Sequence, residues 1–116
     1  MIETVVSFRA TQSIKIPLNL TEALDELNSQ LDDEEKEKIQ NLGEDEFVIL
    51  SHMYMGQKLR NLWLYPEGSP LRKFFKDEGL FSEDDMSDII LRSFYRYLKG
   101  EEIGYEEQLE TMPRYK

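Results

Sequence analysis

Residues 82–100 carry the feature that most constrains the fold, a long amphipathic helix whose start and end are both marked in the sequence. Ser82 suits the N-cap position, because its hydroxyl can accept a hydrogen bond from an unpaired backbone N–H. Gly100 suits the position just past the last turn. Between them, apolar residues at helical spacing share one broad face: Met86, Ile89, Ile90, Phe94, Tyr97 and Leu98. We therefore expect the rest of the chain to be organised around this helix.

A second helix is predicted immediately upstream, from about residue 47 to residue 64. Five residues recur at spacings of four, three, four and three, which places them in one helical stripe: His52, Gly56, Leu59, Arg60 and Trp63. A glycine inside a helix costs roughly 1 kcal/mol relative to alanine. Gly56 therefore indicates either the close approach of another element or a break in the helix.

The rest of the chain predicts an all-α fold, a compact bundle of about five or six short helices. Further helices are expected near residues 19–31, 32–43, 70–79 and 105–112. We predict one helical domain over residues 19–112, preceded by an extended N-terminal arm over residues 1–18. In that arm, apolar residues alternate at Ile14, Ile16, Leu18 and Leu20, while Pro17 bars the run from a central strand. A short hairpin and a strand exchanged between subunits are the alternatives to a docked arm.

Composition narrows the class of partner. The net charge is −10, and residues 1–43, 44–79 and 80–116 carry −5, −1 and −4 of it. Such a charge argues against nucleic acid and against an anionic membrane as ligands. There is no cysteine, hence no disulfide and no thiolate metal site. No apolar run reaches membrane-span length and no signal-peptide pattern is present, so we expect a cytoplasmic protein.

The candidate site residues are few, and most of them favour a structural role. His52 is the only histidine, and a lone histidine on an inner helix face is usually a hydrogen-bonded core residue. Arg60, if it faces the core, needs a carboxylate, because an unpaired buried charge is very costly. Asp84 and Asp85 are the nearest candidates by topology, and we predict a bidentate clamp between two helices. Anion binding by Arg60 is the functional alternative. We expect no catalytic residue, no metal site and no cofactor, since the familiar motifs for each are missing.

Aromatic residues supply the candidates for partner binding. Tyr and Arg are common at the centres of protein interfaces. We expect Tyr54, Tyr65 and Tyr95 to be exposed enough to anchor a partner, with His52 and Trp63 as further candidates. The other aromatic residues are expected in the core.

At these residues the chain resembles an uncharacterised bacterial family known only as a domain of unknown function. The resemblance covers about residues 17–105, and two motifs carry it: Arg60-Asn61-x-Trp63 and Asp84-Asp85-Met86-Ser87. The family implies no activity, cofactor or site. By size and charge alone, the chain is similar to immunity proteins of bacterial toxin systems and to phage-encoded inhibitors.

Two hypotheses of function follow. The first is a small acidic protein-binding domain, immunity-like or regulatory, whose partner is another protein, a basic one being a candidate. In this hypothesis the chain is a monomer or a weak homodimer. The alternative is a small-molecule-binding or enzymatic domain that uses a shared pocket of His52, Arg60, Asp84 and Asp85. Between the two, we expect that the chain is not an enzyme.

Overall fold

The structure is a computed structural model that describes residues 15–112. Within this range the regular elements are helical, and no strand occurs there, so the prediction of an all-α fold is confirmed. The helices are α1 (Leu20–Gln30), α2 (Asp33–Gln40), α3 (Glu44–Ser51), α4 (Met55–Leu59), α5 (Pro70–Asp77), α6 (Glu83–Lys99) and α7 (Tyr105–Thr111), with a π-helical turn (Arg60–Leu64) directly after α4.

Helix α6 lies at the centre of the fold and packs against all the other helices of the described range. Its ends form as the sequence predicts. The Ser82 hydroxyl accepts a hydrogen bond from the Asp85 backbone N–H at 3.3 Å. Gly100 ends the helix in the left-handed conformation, with φ of 71°. Most of the residues of α6 that the structure buries are apolar and form the middle of the core: Met86, Ile89, Ile90, Leu91, Phe94 and Tyr95.

The prediction of one helix over residues 47–64 is wrong. The segment divides into α3, α4 and the π-helical turn, so that residues 15–112 contain seven α-helices and not five or six. The first break, at residues 52–54, brings the His52 carbonyl to the Arg60 side chain, whose Nη2 donates to it at 3.1 Å. In the π-helical turn, the Tyr65 N–H donates to the Arg60 carbonyl at 2.8 Å, one residue further back than in an α-helix. This wider turn buries Arg60, Trp63 and Leu64 together.

The N-terminal part of the helical domain begins at a cap. Asn19 Oδ1 accepts from the Glu22 N–H, and Glu22 Oε1 accepts from the Leu18 N–H, both at 2.9 Å. Of the alternating apolar residues in the described range, Ile16 packs against the core and Leu20 is buried, whereas Leu18 is 50% exposed. Residues 1–14 lie outside the described range, so the choice between arm, hairpin and exchanged strand stays a prediction.

The length and polarity of the helices decide whether any of them could span a membrane. Along residues 15–112, every helix is too short or too polar to cross a lipid bilayer.

Candidate functional site

The Arg60 side chain is buried between α4 and α6, with 3% of its surface exposed. Its Nη1 donates to the Ser87 hydroxyl at 2.8 Å. Its Nη2 donates to the His52 carbonyl at 3.1 Å and to Gln57 Oε1 at 3.3 Å. The Ser87 hydroxyl donates in turn to the Asp84 carbonyl at 3.0 Å. The guanidinium thus ties the break after α3, the start of α4 and the first turns of α6 into one network.

Asp84, and not Asp85, is the carboxylate beside Arg60. Asp84 Oδ1 lies 3.3 Å from Arg60 Nε, but the N–H is not aligned for a hydrogen bond. The Asp84 side chain is also 61% exposed. The bidentate clamp predicted from the sequence is therefore not what forms. Successive residues on a helix point about 100° apart, so only one of the two aspartates can face Arg60.

Gly56 makes room for the Arg60 guanidinium. A Cβ atom at this position would lie 3.1 Å from Arg60 Nη1 and 3.4 Å from the Ser51 carbonyl oxygen. Both atoms are held in place, the first by its hydrogen bond to Ser87 and the second by the Tyr54 N–H. Both interpretations of Gly56 therefore apply, because a side chain approaches it closely and the helix is broken just before it.

We expect Gly56→Ala to lower the free energy of unfolding by about 1 kcal/mol, because overpacking outweighs the helix propensity of alanine. With Arg60 replaced by Met, which has no rigid fork over position 56, the same change should instead stabilise by up to about 1 kcal/mol. Urea unfolding of the four proteins in this double-mutant cycle measures the coupling. Equal effects of Gly56→Ala in both backgrounds would show that Arg60 does not limit position 56.

His52 lies at the break after α3 and faces the acidic first turns of α6. Its Nδ1 is 2.8 Å from Asp88 Oδ1, and its Nε2 is 4.0 Å from Asp84 Oδ2. Burial raises the pKa of Asp85 above its ordinary value of 3.8, and the charges of Asp88 and Asp84 add to the rise, while His52 opposes it. Two carboxylates, those of Asp88 and Asp84, therefore lie beside one imidazole.

The four residues of the predicted pocket are brought together only in part. His52 and Arg60 both contact Asp84, whereas Asp85 makes no ion pair with Arg60 within the described range. Arg60 lies beneath the surface with its terminal nitrogens bonded to protein atoms. A surface groove beside α7 has a different lining, which includes Arg92 and Arg96.

A second ion-pair network, which the sequence does not predict, joins α3 to α6. Arg96 donates from Nε and Nη2 to the two carboxylate oxygens of Glu44, at 3.0 and 2.9 Å. Arg92 Nη1 donates to Glu44 at 2.8 Å and to Asp45 at 2.6 Å. Sequence spacing favours pairing of Arg92 with Asp88, but Asp88 is directed to His52. No local pattern reveals pairs that are separated by about fifty residues.

Glu44 and Asp85 should affect the pH dependence of stability with opposite signs. Hydrogen bonding to Arg96 holds the pKa of Glu44 below its ordinary value of 4.5, with Arg92 contributing and partial burial opposing. Charged Glu44 therefore stabilises the fold above about pH 4.5, and this contribution is lost as the pH falls through the folded-state pKa. For Asp85, whose pKa is raised, the contribution is present at low pH and is lost as the pH rises.

We therefore expect Glu44→Gln to lower the free energy of unfolding at about pH 7 and to have a much smaller effect at about pH 3. Asp85→Asn should raise the free energy of unfolding at about pH 7, because it removes a carboxylate whose charged form is disfavoured in the fold. Urea unfolding at both pH values tests the pair. Two variants with effects of the same sign at neutral pH would contradict this assignment.

Helix α3 exposes an apolar surface that is directed away from α6. One side of the helix is buried and includes Phe47 and Val48. The other side, with the turn that follows, exposes Ile49 by 70%, Leu50 by 42%, Met53 by 65% and Tyr54 by 39%. These four residues are here called the α3 face. Of these four residues, only Tyr54 is predicted from the sequence as a binding residue. An available signal was the run Phe47-Val48-Ile49-Leu50, since a helix that is apolar all round cannot bury both sides against one core.

The other predicted binding residues lie elsewhere. Tyr65 is 47% exposed, beyond the π-helical turn. Trp63 and Tyr95 are buried, with 4% and 6% of their surfaces exposed, so the expectation that Tyr95 is exposed is wrong. The Tyr95 hydroxyl donates to the Leu42 carbonyl at 2.7 Å, and its ring stacks on Phe47. These contacts hold Tyr95 between α6 and α3, away from any partner.

Comparison with known proteins identifies the domain without assigning an activity. No curated protein and no solved structure matches the chain significantly. A family described as a domain of unknown function matches residues 16–98. The match runs from just before α1 almost to the end of α6, so it includes the Arg60 network and the α3 face. The chain therefore belongs to the family Domain of unknown function (DUF6794).

Proposed function

We propose that this chain is a protein-binding domain and that the α3 face is its contact surface. The observation that carries the proposal is the exposure of four large apolar residues within six positions: Ile49, Leu50, Met53 and Tyr54. Single exposed apolar residues are normal on protein surfaces, whereas contiguous ones commonly mark binding sites. The residue types support the same function, because methionine adapts to varied partners and tyrosine is frequent at interface centres.

The surroundings of the α3 face also support binding of a protein over chemistry in a pocket. The adjacent polar network includes Arg60, Ser87 and Gln57, and its guanidinium is buried and engaged with protein atoms. A small-molecule or enzymatic role for His52, Arg60, Asp84 and Asp85 would need these groups to converge on an accessible ligand. Arg60 is instead directed to the interior. The size and net charge extend the proposal, by analogy alone, to an immunity-like or inhibitory protein that acts in the cytoplasm.

Site-specific photo-crosslinking tests the proposal. A photo-reactive amino acid at position 53 should give a discrete protein adduct in cells that naturally produce the chain. The matched control places it at position 81, because Phe81 is 46% exposed and apolar but lies outside the α3 face. The adduct at position 53 should disappear when Ile49 is also changed to Ser. Equal adducts at both positions, or none at position 53, would contradict the proposal.

A further inference from the structure

We infer that the partner docks an amphipathic helix on the α3 face, with its apolar stripe on these four residues and with Lys or Arg along its flanks. This inference rests on the proposed function and names the class of partner. It follows from the charges that surround the α3 face and from the geometry of the face itself.

Acidic residues border the α3 face at its N-terminal end. Asp45 precedes Ile49 by four positions, and Glu46 precedes Leu50 by four positions, so each acid lies one helical turn before an exposed apolar residue. The side chain of Asp45 is 82% exposed, although one of its oxygens accepts from Arg92. Glu46 is also exposed and accepts from the Gly43 N–H at 3.2 Å. Both carboxylates keep exposed surface for a cation.

Acidic residues of α6 contact His52, the residue that links α3 to Met53. His52 immediately precedes Met53, and its ring is held toward Asp88 at 2.8 Å, with Asp84 at 4.0 Å. The raised pKa of neighbouring Asp85 reflects its burial and the charges of these two carboxylates. A cationic side chain placed here would relieve repulsion among them. At the C-terminal end of the α3 face, the charged residue one helical turn after Tyr54 is basic, Lys58. The acidic border is therefore found at the N-terminal end of the face and near His52.

The geometry favours a helix as the docked element. The backbone groups of α3 are used within the helix, so they offer no edge to which a strand could be added. Ile49 and Leu50 are exposed near the end of α3, and Met53 and Tyr54 are exposed in the turn that follows, so a partner helix can contact all four apolar side chains. Helix α3 is about 12 Å long, so two or three turns of a partner helix would cover it.

A second copy of the chain is a poorer occupant. Two copies in a symmetric contact would bring the same acidic border against itself, and each copy carries a net charge of −10. Like charges across an interface disfavour association. A partner with basic flanks instead gains both apolar burial and charge complementarity.

A synthetic peptide of about 18 residues, with Leu at helical spacing and Lys on both flanks, is the probe. Titration of the full chain, followed by NMR chemical shifts of its backbone amides, should map binding to residues 45–54. The same peptide with Glu flanks, and a scrambled peptide of equal composition, should each bind with an affinity at least about tenfold lower. The acidic run of α2, residues 32–37, is a built-in control for non-specific attraction.

Variants of the chain separate the apolar and the charged contributions. The pair Ile49→Ser and Met53→Ser should weaken binding of the Lys-flanked peptide by roughly tenfold. The pair Asp45→Asn and Glu46→Gln should weaken it less and should reduce its dependence on salt. Urea unfolding of each variant confirms that the fold is retained.

Several outcomes would overturn the inference. Shifts centred on residues 32–37, equal binding of the Glu-flanked and scrambled peptides, or dimerisation of the chain through Ile49 would each exclude a basic helix as the occupant. If the crosslink at position 53 still forms in those cases, the proposed protein-binding function stands and only the class of partner is wrong. If the crosslink is absent, the proposed function fails as well.

Discussion

Replacing Arg60 with Ala should lower the free energy of unfolding by about 3 kcal/mol or more. The change removes hydrogen bonds from a buried charged group and leaves the Ser87 hydroxyl and the His52 carbonyl without their donor. It also opens a cavity above Gly56. Arg60→Lys should be nearly as harmful, because one ammonium cannot reach the acceptors that the planar guanidinium spans.

Two further changes identify the cause of the loss. Arg60→Met should recover part of the stability, since it refills the space without a charge. Arg72→Ala is the matched control, because Arg72 makes a looser ion pair with Glu83, at 3.7 Å, and should cost about 1 kcal/mol or less. Urea unfolding gives all the values. If the Arg60→Ala variant has an unchanged free energy of unfolding but no longer binds the Lys-flanked peptide, Arg60 belongs to the binding site and its structural role is refuted.

Phe47→Ala should be the second severe change, with a loss of about 3–5 kcal/mol. Phe47 is fully buried between α3 and α6, and its ring centroid lies 6.1 Å from that of Tyr95. Ile49→Ala, two positions along the same helix, should change the free energy of unfolding by no more than about 0.5 kcal/mol. The two substitutions remove apolar groups from opposite sides of one helix, one side buried and the other exposed.

Chemical unfolding of both variants, at several protein concentrations, checks this contrast. A large loss for Ile49→Ala would mean that the α3 face is covered in solution. Dependence of that loss on protein concentration would then point to a second copy of the chain as the cover.

The sequence predicts the parts of the fold that local chemistry determines. Ser82 and Gly100 mark the ends of α6 because a cap needs only a hydroxyl at one end and a left-handed residue at the other. The same holds for Asn19 at the start of α1. These signals act over three or four residues, so they can be read without knowing what packs around them.

For residues 47–64, prediction from local sequence patterns fails. The stripe of His52, Gly56 and Arg60 is real as a spacing, but the helix breaks between the first two and widens after the third. The break supplies the His52 carbonyl to Arg60, and the wider turn buries Trp63. Both effects depend on contacts with α6 and on a buried charge that must be satisfied. The residues of α3 and α4 alone therefore predict neither the helix break nor the π-helical turn.

The candidate site was also only partly foreseeable. Topology placed an aspartate of α6 near Arg60, but Ser87 and Gln57 were not expected as acceptors. The α3 face was missed because Ile49, Leu50 and Met53 look like ordinary core residues when their side of the helix is unknown. Deciding which side of an all-apolar helix is buried requires the position of its neighbours.

The division of α3 into a buried and an exposed side has a consequence for how a family of this kind can diversify. Changes at Phe47 or Val48 are constrained by the core, whereas changes at Ile49, Leu50 and Met53 carry little folding cost. If the α3 face is the contact surface, as proposed, point mutations there would alter affinity one step at a time, with no compensating change elsewhere. Under the proposed function, a lineage would then be able to exchange one partner for another on an unchanged scaffold.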